Sequence, residues 1–99
     1  MNTITRTAEF DLWLKRLKDN TATYKIVMRV KRAERGNFGD NHSVGDGVSE
    51  MRIDWGPGYR VYFAQKGSTI YLLLLGGDKR TQSADIAKAK AIWKEHKGE

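Results

Sequence analysis

Residues 50–63, Glu50-Met51-Arg52-Ile53-Asp54-Trp55-Gly56-Pro57-Gly58-Tyr59-Arg60-Val61-Tyr62-Phe63, carry the pattern on which the fold turns. Met51, Ile53 and Trp55 alternate with Glu50, Arg52 and Asp54, and beyond Gly56-Pro57-Gly58 the alternation resumes with Tyr59, Val61 and Phe63 against Arg60 and Tyr62. A period of two is that of a strand with one buried face. Pairing Trp55 with Tyr59 across the Gly-Pro-Gly turn sets Ile53 opposite Val61 and Met51 opposite Phe63. The reverse face then carries Glu50, Arg52, Asp54, Arg60 and Tyr62, with Asp54 opposite Arg60. The expectation is a hairpin with one core face and one largely polar face.

Working outward, Lys66-Gly67-Ser68 makes a second turn into Ile70–Leu75, an unbroken apolar run suited to a central strand covered on both faces. Gly76-Gly77-Asp78-Lys79-Arg80 reads as the end of that strand and a plain turn, because it matches no phosphate-binding glycine fingerprint. Ser83 is the expected cap of a last helix with Ile86, Ala89 and Trp93 on its apolar stripe. Upstream, residues 36–47 are rich in Gly, Asn and Asp and read as a loop or irregular edge. Before them, Phe10, Trp13, Leu14 and Leu17 mark one helix, and Ala22, Ile26, Val30 and Ala33 a second. Asp19-Asn20-Thr21 breaks the two apart and supplies caps, and Gly36 ends the second. Thr3–Thr7 is a short edge strand. The fold class is therefore α+β: an N-terminal strand, a helical hairpin, an antiparallel β-meander and a C-terminal helix, in one domain spanning 1–99.

Composition bounds the chemistry. The 99 residues contain no cysteine, so disulfides, thiolate metal sites and a cysteine nucleophile are excluded. His42 and His96 stand apart in the sequence, so they offer no zinc site by themselves, and neither is expected to be a catalytic base. No cofactor is expected. MNTITRTAEF lacks the apolar run of a signal peptide and no stretch is long enough to span a membrane, so a cytoplasmic location is expected. Eighteen Lys and Arg against twelve Asp and Glu give a net charge of +6, which favours an anionic partner. The best-organised cations are Arg52 and Arg60 on neighbouring strands, with Lys79 and Arg80 just past the third. Strands lie about 5 Å apart, so such cations can share one phosphate. Tyr62 and Tyr71 are candidates for stacking on bases. Lys25, Arg29 and Arg32 add a basic helix face, and the alternative for all these charges is ordinary surface pairing.

These residues also carry a resemblance. Gly47-Val48-Ser49-Glu50-Met51-Arg52-Ile53, Gly58-Tyr59-Arg60-Val61-Tyr62-Phe63 and Gly77-Asp78-Lys79-Arg80-Thr81-Gln82, with Glu9-Phe10 to Leu14 and Gly36-Asn37-Phe38-Gly39-Asp40, resemble the RelE/ParE superfamily. The similarity is greatest to its HigB-like, phage-derived "addiction module killer" branch, toxins of bacterial type II toxin–antitoxin pairs. It implies a ribosome-dependent endoribonuclease that cleaves mRNA, inhibits translation and arrests growth. Arg60 matches the phosphate-holding arginine, Arg52 a basic position on the preceding strand, and Lys79 or Arg80 the basic position after the last strand. Glu50 stands where RelE has a lysine, and Ile86 stands near the position of its catalytic tyrosine. The implied reaction is attack of an RNA 2′-OH on its own 3′ phosphate, without a metal. Glu50 or a lysine among cations is the expected base, with Tyr62 a further candidate. The implied partners are mRNA on the ribosome and a cognate antitoxin, a small helix-turn-helix protein from an adjacent gene. Operator DNA is met only through the complex with that antitoxin. Two alternatives stand beside this: a ParE-like gyrase inhibitor that cuts nothing, and an inactive nucleic-acid- or protein-binding module.

Overall fold

The computed structural model describes residues 1–98. Its elements are β1 (Thr3–Arg6), α1 (Ala8–Arg16), α2 (Asn20–Glu34), β2 (Asn41–Gly45), β3 (Val48–Ile53), β4 (Tyr59–Lys66), β5 (Ile70–Asp78), a 3-10 turn (Lys79–Thr81) and α3 (Gln82–His96). The expected α+β order is present, with the meander extended to four strands. The sheet runs β1-β5-β4-β3-β2. β2 to β5 pair antiparallel in sequence order, and β1 lies parallel to β5 at the far edge. Among the described residues no helix is long and apolar enough to cross a membrane.

Two apolar clusters sandwich this sheet. Phe10, Ala22 and Ile26 of the helical hairpin pack on Met51, Ile53, Tyr59, Val61, Phe63 and Leu73. On the other face, Ala89, Ile92 and Trp93 of α3 pack on Val48, Tyr62, Ala64, Leu72, Leu74 and Leu75. A bulge lets two adjacent leucines of β5 face the same side. Tyr62 pairs with Leu75 but Phe63 pairs with Leu73, so Leu74 is the extra residue and both Leu74 and Leu75 reach the α3 side.

Thr7 closes this irregularity. Its hydroxyl donates to the Leu74 carbonyl at 2.7 Å and accepts from the Phe10 N–H at 3.0 Å, so one buried side chain caps α1 and satisfies the bulge. Thr7→Ala is expected to cost about 1–2 kcal/mol, the range for a lost helix cap, whereas Thr7→Ser keeps both bonds. Urea denaturation of the two variants checks this, and equal loss in both would show that the methyl, not the hydroxyl, matters.

Three expectations are corrected. The hairpin register is Ile53 to Tyr59, Met51 to Val61 and Ser49 to Phe63, two residues from the expected one. Trp55 has left the ladder for the turn, where its indole donates to Asp19 at 3.0 Å and Lys25 lies 4.8 Å from the ring centroid. A shift of two keeps every side chain on its expected face. Second, Gly76 and Gly77 are strand residues rather than a turn. A Cβ on Gly76 would lie 2.1 Å from the Trp13 ring, and one on Gly77 would lie 1.9 Å from an Asp85 carboxylate oxygen. Third, α3 begins at Gln82 rather than at a Ser83 cap, and the Thr81 hydroxyl donates to Asp85 instead of capping the helix.

Candidate functional site

The expected loop contains β2, and the way it folds decides the site. Asp46 and Gly47 both take positive φ, +56° and +81°, which makes the tight turn from β2 to β3 that an Asp-Gly pair favours. A bulge between Ser43 and Gly45 then sets His42 opposite Glu50. Glu50 in turn pairs with Tyr62, and Arg52 with Arg60, which pairs with Gly77. Directly opposed residues share a face. His42, Glu50 and Tyr62 therefore form one row across the sheet, with Arg52 and Arg60 in the next.

α3 reaches over only part of that face, so the polar residues are graded in depth. Glu50 is fully buried. Its Oε1 lies 2.7 Å from Arg60 Nε and 3.8 Å from Arg52 Nε, and accepts from Gln82 Nε2 at 2.8 Å. The Arg60 contact is a charge contact rather than an aligned hydrogen bond, since its Nε–H is not directed at the carboxylate. Oε2 lies 3.1 Å from His42 Nε2, and Arg52 Nη2 lies the same 3.1 Å from that nitrogen. Arg60 is buried, while Arg52 and His42 are partly open to solvent, with side chains 40% and 42% exposed. The expected Asp54–Arg60 pair does not form, because the register places Arg60 opposite Arg52 and turns it to Glu50.

Beyond the arginines the sheet ends in an open depression of about 270 Å³ lined by Arg52, Arg60, Lys79 and Gly58 together with the carboxylates Asp40 and Asp54. Gly58 has φ +82°, a conformation that favours glycine, and its backbone passes close to both Arg60 Nη1 and Lys79. Three of the four expected reactive residues thus converge. The fourth, Glu50, lies beneath them; its burial makes it a holder of cations rather than a group that meets a ligand.

The remaining expected residues are separated from this place. Tyr62 is fully buried against α3 and cannot stack on a base. Burial first, and the Glu50 charge next, push its hydroxyl well above the ordinary value, which also removes it as a base. Tyr71 packs on Phe38, with centroids 4.7 Å apart, on the opposite face of the sheet. Arg80 folds back on Asp78 at 2.9 Å, in an exposed pair. Arg29 is structural: its guanidinium donates to the carbonyls of Arg52, Phe38 and Asp40, and burial lowers its pKa. Lys25 and Arg32 line a separate depression on α2 with Tyr24 and Met28. His42, which the sequence reading set aside, and Gln82, to which it gave no role, join the site. The Asp46-Gly47 turn was the available signal for β2, but the bulge that aims His42 had none.

No family model matches the chain. Over 92 residues, 93% of its length and 93% of the relative's, it is 50% identical to an uncharacterized protein of Haemophilus influenzae. The chain belongs to that protein's family. The similarity covers nearly the whole of both chains rather than one motif.

Proposed function

We propose that this chain is the toxin of a bacterial type II toxin–antitoxin pair, a cytoplasmic, ribosome-dependent endoribonuclease that cleaves mRNA. The observation that carries the reading is the depression of about 270 Å³ onto which Arg52, Arg60 and Lys79 converge from three segments. The order of elements is also the one the RelE/ParE resemblance implies.

Cleavage by the RNA 2′-OH builds negative charge on the phosphorus oxygens, and cations fixed beforehand stabilise it without reorganisation. Glu50 supplies that fixity. It holds Arg60 by Nε, leaving the outer guanidinium nitrogens toward Gly58 and the depression. The depression is open and shallow, so it grips no single nucleotide; the ribosome would hold the mRNA in a geometry ready for attack. An antitoxin that covers the depression would silence it, and operator DNA would be met only by the complex.

The test is primer extension on a reporter mRNA in a reconstituted translation mixture. Wild type is expected to give new 5′ ends inside the reading frame only while ribosomes translate. Lys79→Ala and Arg52→Ala, both on the open side of the site, are each expected to lower that signal about 100-fold or more. Arg60→Lys keeps the charge against Glu50 but loses the fork, and a similar fall is expected. Intact mRNA combined with gyrase-dependent DNA breaks would overturn the reading in favour of a gyrase inhibitor. No effect on either would leave a binding module.

A further inference from the structure

We infer that His42, held by the buried carboxylate of Glu50, is the proton-transfer residue of this site and acts through Nδ1. The inference rests on the endoribonuclease reading. His42 Nε2 lies 3.1 Å from two competing neighbours, Glu50 Oε2, which can only accept, and Arg52 Nη2, which can only donate. Arg52 is the better aligned, and Oε2 has no directed hydrogen bond among the described residues.

The cost of leaving each neighbour unsatisfied decides between them. Arg52 is 40% exposed, so water can take the N–H that His42 declines. Glu50 is fully buried, and an unpartnered buried polar atom costs about 1–3 kcal/mol, more when it is charged. A proton on Nε2, pointed at Oε2 by a small rotation of the ring, removes that cost. Nδ1 then keeps its lone pair on a side chain 42% exposed, where it can accept a proton.

The step balances as follows. The RNA 2′-O–H proton passes to His42 Nδ1 while the 2′-O–P bond forms. The P–O5′ bond breaks, and the leaving 5′ oxygen takes a proton from water, which the open depression admits. The imidazolium returns its proton to solvent, leaving a 2′,3′-cyclic phosphate and a free 5′-OH.

Two measurements on the full chain test this. In a two-dimensional ¹⁵N–¹H spectrum of the wild type, neutral His42 is expected as the Nε2–H tautomer; a neutral Nδ1–H ring would overturn the inference. In the reconstituted translation mixture, His42→Ala is expected to lower cleavage about 100-fold or more. Free imidazole is expected to restore part of it, and to restore nothing to Lys79→Ala. Full activity in His42→Ala beside a dead Lys79→Ala would sink the His42 assignment and leave the ribonuclease reading standing. A loss that imidazole does not relieve would reduce His42 to a structural contact. If wild type leaves mRNA uncut under all conditions, reading and inference fall together.

Discussion

Glu50→Ala is expected to lower the free energy of unfolding by about 3–5 kcal/mol, the cost of removing one partner from a buried ion pair. The reason is what it leaves behind. Arg60 lies beside the carboxylate at 2.7 Å with its side chain 10% exposed, so without Glu50 a guanidinium stays charged in the sheet with no counterion against it. Gln82 Nε2 loses its acceptor in the same change. The Arg6–Asp11 pair offers a control: its contact, at 3.1 Å, is also within ion-pair distance, but both side chains are 53% exposed. Asp11→Ala is therefore expected to cost less than about 1 kcal/mol. Urea denaturation followed by tryptophan fluorescence measures both, and a Glu50→Ala loss no larger than that of Asp11→Ala would mean that Glu50 is not what balances Arg60.

A second comparison separates stability from function at the same place. Replacing Glu50 and Arg60 together by Met and Leu leaves no buried charge unpaired, since Arg52 is 40% exposed, and such swaps are often neutral or stabilising. The double variant is expected to recover most of what Glu50→Ala loses, yet to cut no mRNA. The sheet face beside α3 is apolar from Val48 through Leu72 to Leu75 and could have continued so. Buried charge at its end is costly, and on our reading it is kept because the fixed Arg60 is needed at the depression.

What was legible in the sequence follows from which interactions are local. Alternation at Met51, Ile53, Tyr59, Val61 and Phe63 assigned the core face correctly even though the register was two residues off, because a shift of two preserves sidedness. The register itself depended on Trp55, which reads as core by alternation but is drawn away by Asp19, 36 residues earlier in the chain. Polarity of the Glu50–Arg52–Arg60 face was legible; its burial was not, because burial depends on where α3 docks. Tyr62 shows the consequence: its neighbours in sequence suggest a stacking platform, and α3 makes it core. His42 was hidden by one residue. Without the bulge at Val44, the Asp46-Gly47 turn would pair Ser43 with Glu50 and turn His42 to the other face of the sheet. Lys25, Arg29 and Arg32 show the converse limit. Helical spacing put them on one basic face, but carbonyls of the 38–40 loop and of Arg52 had already claimed Arg29.

Gly76→Ala is expected to cost about 3 kcal/mol, at the upper end of the range for overpacking a core. Added methyls in strands normally help, since glycine there is weak; here the sign reverses because of one contact. The new Cβ would lie 2.1 Å, 2.2 Å and 2.3 Å from three carbons of the Trp13 ring. That ring cannot turn aside freely, being set between Phe10 and Tyr59 at centroid distances of 5.8 Å and 6.2 Å. Relief needs α1 to move off β5, which strains the Thr7 hinge that caps the helix and holds the bulge. Gly77→Ala meets only the tip of Asp85, a flexible carboxylate that can swing outward at the loss of its bond from Thr81, so a smaller cost is expected. The decisive experiment is a double-mutant cycle with Trp13→Ala. If the ring is the obstacle, Gly76→Ala becomes nearly neutral once the ring is gone, and the two changes couple by about 2–3 kcal/mol. Strict additivity in urea unfolding would place the strain in the backbone of β5 instead.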